Sequence, residues 1–210
     1  MILIGQFDSP FVRRVGVALT LYGLAFEHRP WSVWADAERI LTLNPLRRVP
    51  ILVLDDGEVL LESTAILDAI DELVGAERAL LPRSGPLRRD GLRVAALATG
   101  VADKAVSLLY EKVLRPVSER SAIWIERCEA QIADTLSALE RDRARRETRW
   151  WLGEALSHAD VAVACALRFL SEAHPELHRA RVSQKLEQHA AACEALEVFR
   201  AISQKLDVAV

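Results

Sequence analysis

This sequence predicts an alternating α/β domain followed by an all-helical domain, on three observations. Strand-like and helix-like segments alternate up to about residue 78. A segment rich in Pro, Ser and Gly, Ala79–Pro86, then interrupts the pattern. Beyond it the hairpin signals vanish and long helical periods take over. The implied division is an α/β domain at 1–78, a linker at 79–86 and an all-helical domain at 87–210.

Each element has its own local reason. Ile2–Gln6 is an apolar run of strand length. Ser9-Pro10 marks a helix start, because Ser is a favoured N-cap and Pro is favoured at the first helical position, where an N–H would be unpaired anyway. Val12, Val15, Ala18, Leu19 and Tyr22 recur at spacings of three and four, and Gly23 closes the helix. Phe26–Arg29 predicts a short second strand and Ala35–Leu43 a brief helix ended by Asn44-Pro45. Ile51–Leu54 and Val59–Leu61 flank Asp55-Asp56-Gly57, a hairpin signal. Thr64–Val74 predicts the last helix of this half, with Ile66, Ile70, Leu73 and Val74 facing inward. In the second half, Ile125, Cys128, Ile132, Leu136 and Leu139 form one stripe of a helix from about Ser118 to Arg145. Val161–Leu170 is apolar almost all round, which predicts a buried helix. Ser157-His158-Ala159-Asp160 ahead of it has capping-box spacing, Asp being the shorter stand-in for Glu. Ser157 and Asp160 therefore read as a structural cap and not as a catalytic pair.

Composition narrows the function classes. A chain of 210 residues can bury a proper core, and 51% apolar with 27% charged residues is ordinary for a globular protein. A net charge of −3 leaves no electrostatic footprint for nucleic acid or an acidic membrane surface. The basic cluster Arg141 to Arg149 alternates with Glu and Asp and reads as a solvated helix end. No apolar stretch reaches the roughly 18–20 residues of a membrane span, and the N-terminus lacks a signal-peptide pattern. Cys128, Cys165 and Cys193 are odd in number and widely spaced, so they predict buried reduced thiols, with no metal or redox pair. These features together predict a cytoplasmic enzyme or binding protein.

The chemistry concentrates at strand ends. The Ser9 hydroxyl sits where backbone N–H groups and the positive end of a helix dipole converge, which suits an anion such as a thiolate. The alternative is a plain helix cap. Ser9-Pro10-Phe11, Asn44-Pro45 before Val49-Pro50, Glu62-Ser63 opening a helix and Trp151-Leu152-Gly153 ahead of the Ser157–Asp160 box occur in an order and spacing that resemble a cytosolic glutathione transferase. The likeness spans nearly the whole chain and points to bacterial members with a Ser-Pro-Phe segment.

That resemblance implies a thioredoxin-like N-terminal domain, an all-α C-terminal helical bundle and glutathione as co-substrate, with no metal. Ser9 would hold the glutathione thiolate; Tyr22 is the rival donor, although its place in the helical stripe favours the core. Phe11, Arg48, Val49, Pro50, Glu62 and Ser63 would bind the tripeptide. Sequence alone favours a trans Val49–Pro50 bond, since only about 5–6% of X–Pro bonds are cis; the resemblance implies cis, with Val49 pairing its backbone to the cysteinyl unit. Ser63 and the first helical N–H groups would take the γ-glutamyl carboxylate and Glu62 its ammonium, against the alternative of an exposed Glu62 and a capping Ser63. Arg48 would approach the glycyl carboxylate, with Arg47 an equally basic neighbour. Trp31 and Trp34 offer an aromatic wall or simple packing. Trp34, Lys104, Ser107 and Tyr110 would line the pocket for a small electrophilic molecule. The resemblance also implies a homodimer. Two function classes follow: an enzyme that adds glutathione to an electrophile, or uses it in isomerisation, dehalogenation or peroxide reduction, and a non-catalytic binding or assembly module.

Overall fold

The computed structural model describes residues 1–207. Its first half holds four short strands, β1 (Ile2–Ile4), β2 (Glu27–Arg29), β3 (Ile51–Val53) and β4 (Val59–Leu61), with helices α1 (Pro10–Leu21), α2 (Ala37–Leu41) and α3 (Ser63–Val74) between and after them. The sheet order is β2-β1-β3-β4; β1 pairs parallel with β2 and antiparallel with β3, and β3 pairs antiparallel with β4. The parallel β1–β2 pair requires a crossover, which α1 supplies. Leu3, Val12, Val15, Leu19, Leu52, Ile66 and Ile70 form the core between the sheet and helices α1 and α3.

The second half is helical: α4 (Gly85–Leu114), α5 (Ala122–Ala144), α6 (His158–Ala173), α7 (Pro175–Arg181), α8 (Gln184–Glu194) and α9 (Glu197–Ala201). Residues 158–167 of α6 are all buried, so this helix is the axis around which the others pack. Its start is the capping box read from the sequence, with Asp160 fully buried. Cys128, Cys165 and Cys193 are free and buried. No helix among the described residues is long and apolar enough to cross a membrane.

Several sequence expectations need correction. β1 stops at Ile4, because Gly5 turns the chain at φ 124° and donates its N–H to Arg29. Leu73 is 58% exposed and faces out. α5 starts at Ala122, where the Ser121 hydroxyl accepts from Trp124 N, while Val117–Glu119 is a separate 3₁₀ turn. The cap of α3 is the Glu62 carboxylate, which accepts from Thr64 N at 3.0 Å; Ser63 is already the first helical residue.

Two buried polar groups join the halves. Arg13 on α1 forms a two-pronged ion pair with Glu194 on α8 (2.6 and 2.8 Å) and donates to the carbonyls of Phe199 and Ile202. Asp71 on α3 accepts from the Tyr22 hydroxyl and from His158 at the start of α6.

Candidate active site

Strand register gathers the candidate residues. Ile4 pairs with Ile51, and Ile51 pairs with Leu61. The segments after β1 (Gly5–Ser9), before β3 (Val49-Pro50) and after β4 (Glu62-Ser63) therefore leave the same end of the sheet. Gly5 seals this junction. A Cβ there would lie 2.5 Å from Val12 Cγ2 and 2.8 Å from Val49 Cβ, so only glycine allows the α1 turn and the Val49 loop to close on each other. The Val49–Pro50 bond is cis.

Ser9 is the N-cap of α1, with extended backbone and Pro10 behind it. Its cap bond is long: Val12 N lies 3.4 Å from Oγ, beyond the usual range for N–H···O bonds. Among the described residues no acceptor takes its O–H. Tyr22, at the far end of α1, is buried with its hydroxyl on Asp71 and with Leu80 N donating to it, so it is core and does not reach this sheet end. Burial pushes the Tyr22 phenol up, and the neighbouring carboxylate adds to the shift.

At the start of α3, Glu62 is exposed and holds φ 68°, an uncommon backbone for a residue with a side chain and one that recurs at functional sites. Ser63 is fully buried, and its hydroxyl lies 3.3 Å from Glu62 Oε1 and 3.3 Å from Arg14 Nη1. Arg14 was missed in the sequence reading. The signal was there: two consecutive arginines on an otherwise apolar helix imply buried, partnered charges. Burial pulls the Arg14 guanidinium down to about 10, so it stays charged at neutral pH.

The two halves meet through Phe11 and Trp34 of the α/β half and Tyr110 of α4. Phe11 packs against the helical core rather than standing free. Trp34 and Tyr110 meet edge to face at 5.4 Å, the first from the α/β half and the second from α4. Burial raises the Tyr110 phenol, so it remains protonated; the Arg48 charge lowers it and the Asp8 charge raises it to a lesser extent. Asp8 is raised as well, first by burial, although Asp207 N donates to its carboxylate at 3.1 Å. Arg48 is exposed and lies 4.0 Å from Asp103 of α4. Lys104 turns toward α5, paired with Asp103 at 3.0 Å and 5.5 Å from the Trp124 ring. Ser107 bonds back to the Asp103 carbonyl. Of the four wall candidates, Trp34 and Tyr110 are thus in contact, and Lys104 and Ser107 are engaged within the helical half. Ser157 and Asp160 lie in the α6 cap. Among the described residues no group of three or more His, Cys, Asp or Glu side chains is arranged to hold a metal ion.

The arrangement offers a hydroxyl at a helix start, a backbone edge at Val49 and a carboxylate beside a helix N-terminus. Comparison with known proteins agrees with the fold. Residues 8–73 match the family described as glutathione S-transferase, N-terminal domain, and residues 122–200 match glutathione S-transferase, C-terminal domain. The chain is 31% identical to the uncharacterized GST-like protein YibF of Escherichia coli, over 81% of this chain and 82% of that protein. It is 29% identical to mouse maleylacetoacetate isomerase, over 95% and 90% of the two chains. Among solved structures, a glutathione S-transferase of Methylobacterium radiotolerans in complex with glutathione sulfonate superposes with a TM-score of 0.88 at 30% identity, covering 100% and 98% of the two chains. A glutathione transferase family member of Pseudomonas fluorescens with bound glutathione gives 0.83 at 30%, covering 98% and 99%.

Proposed function

The chain belongs to the glutathione S-transferase family, and on that premise we propose that it binds glutathione across the sheet end and uses Ser9 to hold the thiolate for attack on a small electrophile. The observation that carries the reading is the strand register that brings Ser9, Val49-Pro50 and Glu62-Ser63 to one end of the sheet. The 1–78 unit supplies the tripeptide site; 79–86 links it to 87–210, which supplies the second wall. Ser9 donates its free O–H to the sulfur, Val49 pairs its backbone with the cysteinyl unit, and Arg48 approaches the glycyl carboxylate. The γ-glutamyl ammonium meets Glu62, and its carboxylate meets the first turn of α3 at Ser63. The thiol gives its proton to solvent, and the sulfur forms the new S–C bond. A leaving group then departs with the bonding electron pair, or an activated alkene takes up a proton. Two copies of the chain pair as a homodimer.

Ser9→Ala tests the thiol's partner, because it removes the donor and leaves the backbone N–H groups and helix dipole in place. Glutathione still binds, its thiol pKa rises, and turnover falls by about one to two orders of magnitude, equal to ~1.4–2.7 kcal/mol. Ultraviolet absorbance of the thiolate against pH reads the shift. Unchanged titration with unchanged turnover would reduce Ser9 to a helix cap.

The similarity to maleylacetoacetate isomerase across nearly the whole chain favours one second reading, glutathione-dependent isomerisation. In that case the sulfur adds and leaves again, and glutathione is not consumed. Thiol titration during turnover separates the two readings.

A further inference from the structure

The basic cluster Arg141 to Arg149 reads from sequence as a solvated helix end, yet the fold makes part of it the wall of a cavity. Arg143 in the last turn of α5, with Arg146 and Arg149 just beyond, lines a space of about 140 Å³ together with Lys185, Gln188 and His189 of α8. About 10–15 Å³ suffices for one water, so the space admits a small ligand. It lies wholly in the helical half, and the sheet end contributes nothing to it.

Its charges do not cancel. Among the described residues no acidic side chain lines the cavity. Arg146 is neutralised by Asp90 at 2.8 Å and Asp142 at 2.9 Å, a network that also holds Arg93. Glu140 spends its carboxylate on the backbone N–H groups of Lys185 and Leu186 at the start of α8. His189 is buried 3.6 Å from Asp160, and burial above all lowers its pKa, so it adds no fixed charge. Arg143, Arg149 and Lys185 remain. Arg143 donates to the carbonyls of Arg146, Thr148 and Arg149, which are neutral acceptors, and so fixes the turn that carries Arg149. Arg149 lies 5.1 Å over the Trp150 ring. Among the described residues none of these three cations has a carboxylate within ion-pair distance. Gathering unpaired like charges round one cavity is unfavourable by itself, and a bound anion reverses the sign.

The number of charges selects the anion. A phosphate monoester carries about −1.5 to −2 at neutral pH and three strong acceptor oxygens, whereas a carboxylate brings one charge. Arginine takes such oxygens through its planar fork, and lysine meets them as a point charge.

We propose that the cavity between the end of α5 and α8 is a second anion site, separate from the sheet end, which binds the phosphoryl group of inorganic phosphate or a small phosphate monoester through Arg149, Lys185 and the charge of Arg143. It does not depend on the glutathione reading.

Calorimetry on the full chain at low salt tests it with three probes: glycerol 3-phosphate, inorganic phosphate and acetate. Both phosphates should bind wild type at one site with a Kd of about 1 mM or tighter, and acetate at least about tenfold more weakly. The tighter of the two phosphates identifies the source of the phosphoryl group. Arg149→Gln and Lys185→Gln, both on exposed positions, should each weaken the phosphates about tenfold, the scale of a hydrogen bond to a charged group, with the melting temperature unchanged. Arg141→Gln removes the same charge from an exposed residue of the same helix end outside the cavity and should leave the affinity as it was. Equal weakening in all three variants would reduce the effect to general charge and overturn the proposal. So would wild-type affinity in both Arg149→Gln and Lys185→Gln, or no binding of either phosphate at ~10 mM. Displacement of the phosphates by excess glutathione would put them at the sheet end and overturn it as well.

Discussion

Removing the Asp160 carboxylate should unfold the helical domain far more than it changes chemistry. Asp160 is fully buried: Oδ1 accepts from Trp151 N at 2.8 Å, and Oδ2 accepts from Ser157 N at 2.8 Å and from the Ser157 hydroxyl at 2.5 Å. Asp160→Ala leaves two backbone N–H groups buried without an acceptor, at about 1–3 kcal/mol each. It also removes the negative charge from the first turn of α6, worth about 0.3–1 kcal/mol. The Ser157 hydroxyl can rotate toward another acceptor and adds little. The loss is therefore about 2–7 kcal/mol, at its upper end well beyond what a surface cap would give. At roughly 2–4 °C per kcal/mol for a chain of this size, the melting temperature falls by about 5–28 °C. Asp160→Asn keeps one acceptor oxygen but turns an NH₂ toward a backbone N–H, so it should fall between wild type and Ala. Urea unfolding followed by tryptophan fluorescence, to which Trp151 contributes, reads the effect. Glutathione affinity measured on the folded fraction should stay unchanged. A mutant that melts with wild type and has lost turnover would show that Asp160 is a catalytic acid, contrary to its role as the cap.

Two further outcomes follow from the burial pattern. His158 sits beside Asp71 and Tyr22, with Arg14 and Arg88 nearby; burial lowers its pKa, and the same direction holds for His174, His178 and His189. A histidine held neutral in the native state binds fewer protons than the unfolded chain. Its stabilisation is therefore complete above the unfolded pKa of about 6.5 and is lost as pH falls below it, by at most ~1.4 kcal/mol per pH unit for His158. Asp71 is itself lowered, against desolvation, by His158, so its share is lost only further down, below the usual carboxylate range. Urea midpoints at pH 7.5 and 5.5 should differ accordingly in wild type and less in His158→Gln; equal midpoints would refute the neutral-histidine assignment. At the aromatic wall, Trp34→Ala should raise the electrophile's KM about tenfold, removing an edge-to-face pair and the area it offers, with glutathione affinity unchanged. Tyr110→Phe should leave KM nearly as it was; if Tyr110→Phe is the damaging change, a hydrogen bond and not the ring recognises the substrate.

The fold was legible because its signals are local. The switch from period two to period 3.6, the Asp55-Asp56-Gly57 turn and the Ser9-Pro10 start each need only a few neighbouring residues, and all three lie where those patterns place them. The sheet-end constellation was legible only through the family resemblance, since no local pattern joins Ser9, Val49-Pro50 and Glu62-Ser63. What escaped the sequence reading depends on distance or on backbone angle. The Tyr22–Asp71–His158 cluster joins residues 49 and 87 positions apart, and no local pattern announces such a contact. Glu62 displaces Ser63 as the cap of α3 because its φ is positive, a conformation that a glutamate does not advertise. Leu73 fits an inward stripe by spacing, yet it faces out while Val74 beside it packs on the core. Arg14 was visible only as a charge in the wrong place.

The energetics then separate what the α/β half contributes from what the helical half must contribute. A free thiol with a pKa near 8.5 is about 3% ionised at pH 7. Lowering it by about two units gives roughly 75% thiolate and takes ~2.7 kcal/mol of preferential stabilisation. One charge-assisted hydrogen bond from Ser9 and the start of α1 can supply most of that. Nucleophilicity, however, falls with pKa at a Brønsted slope of about 0.4–0.5, which cancels nearly tenfold of the gain. Ionisation is left with a net advantage of only a few-fold, so orientation of the electrophile against the thiolate has to carry most of the acceleration. On the proposed reading, Trp34 and Tyr110, which meet edge to face across the two halves, are the residues that would do this, and substrate choice would then belong to the α4 wall and the loop before α2. Exchanging those two side chains should alter which electrophile is taken while the thiolate titration at Ser9 stays where it was.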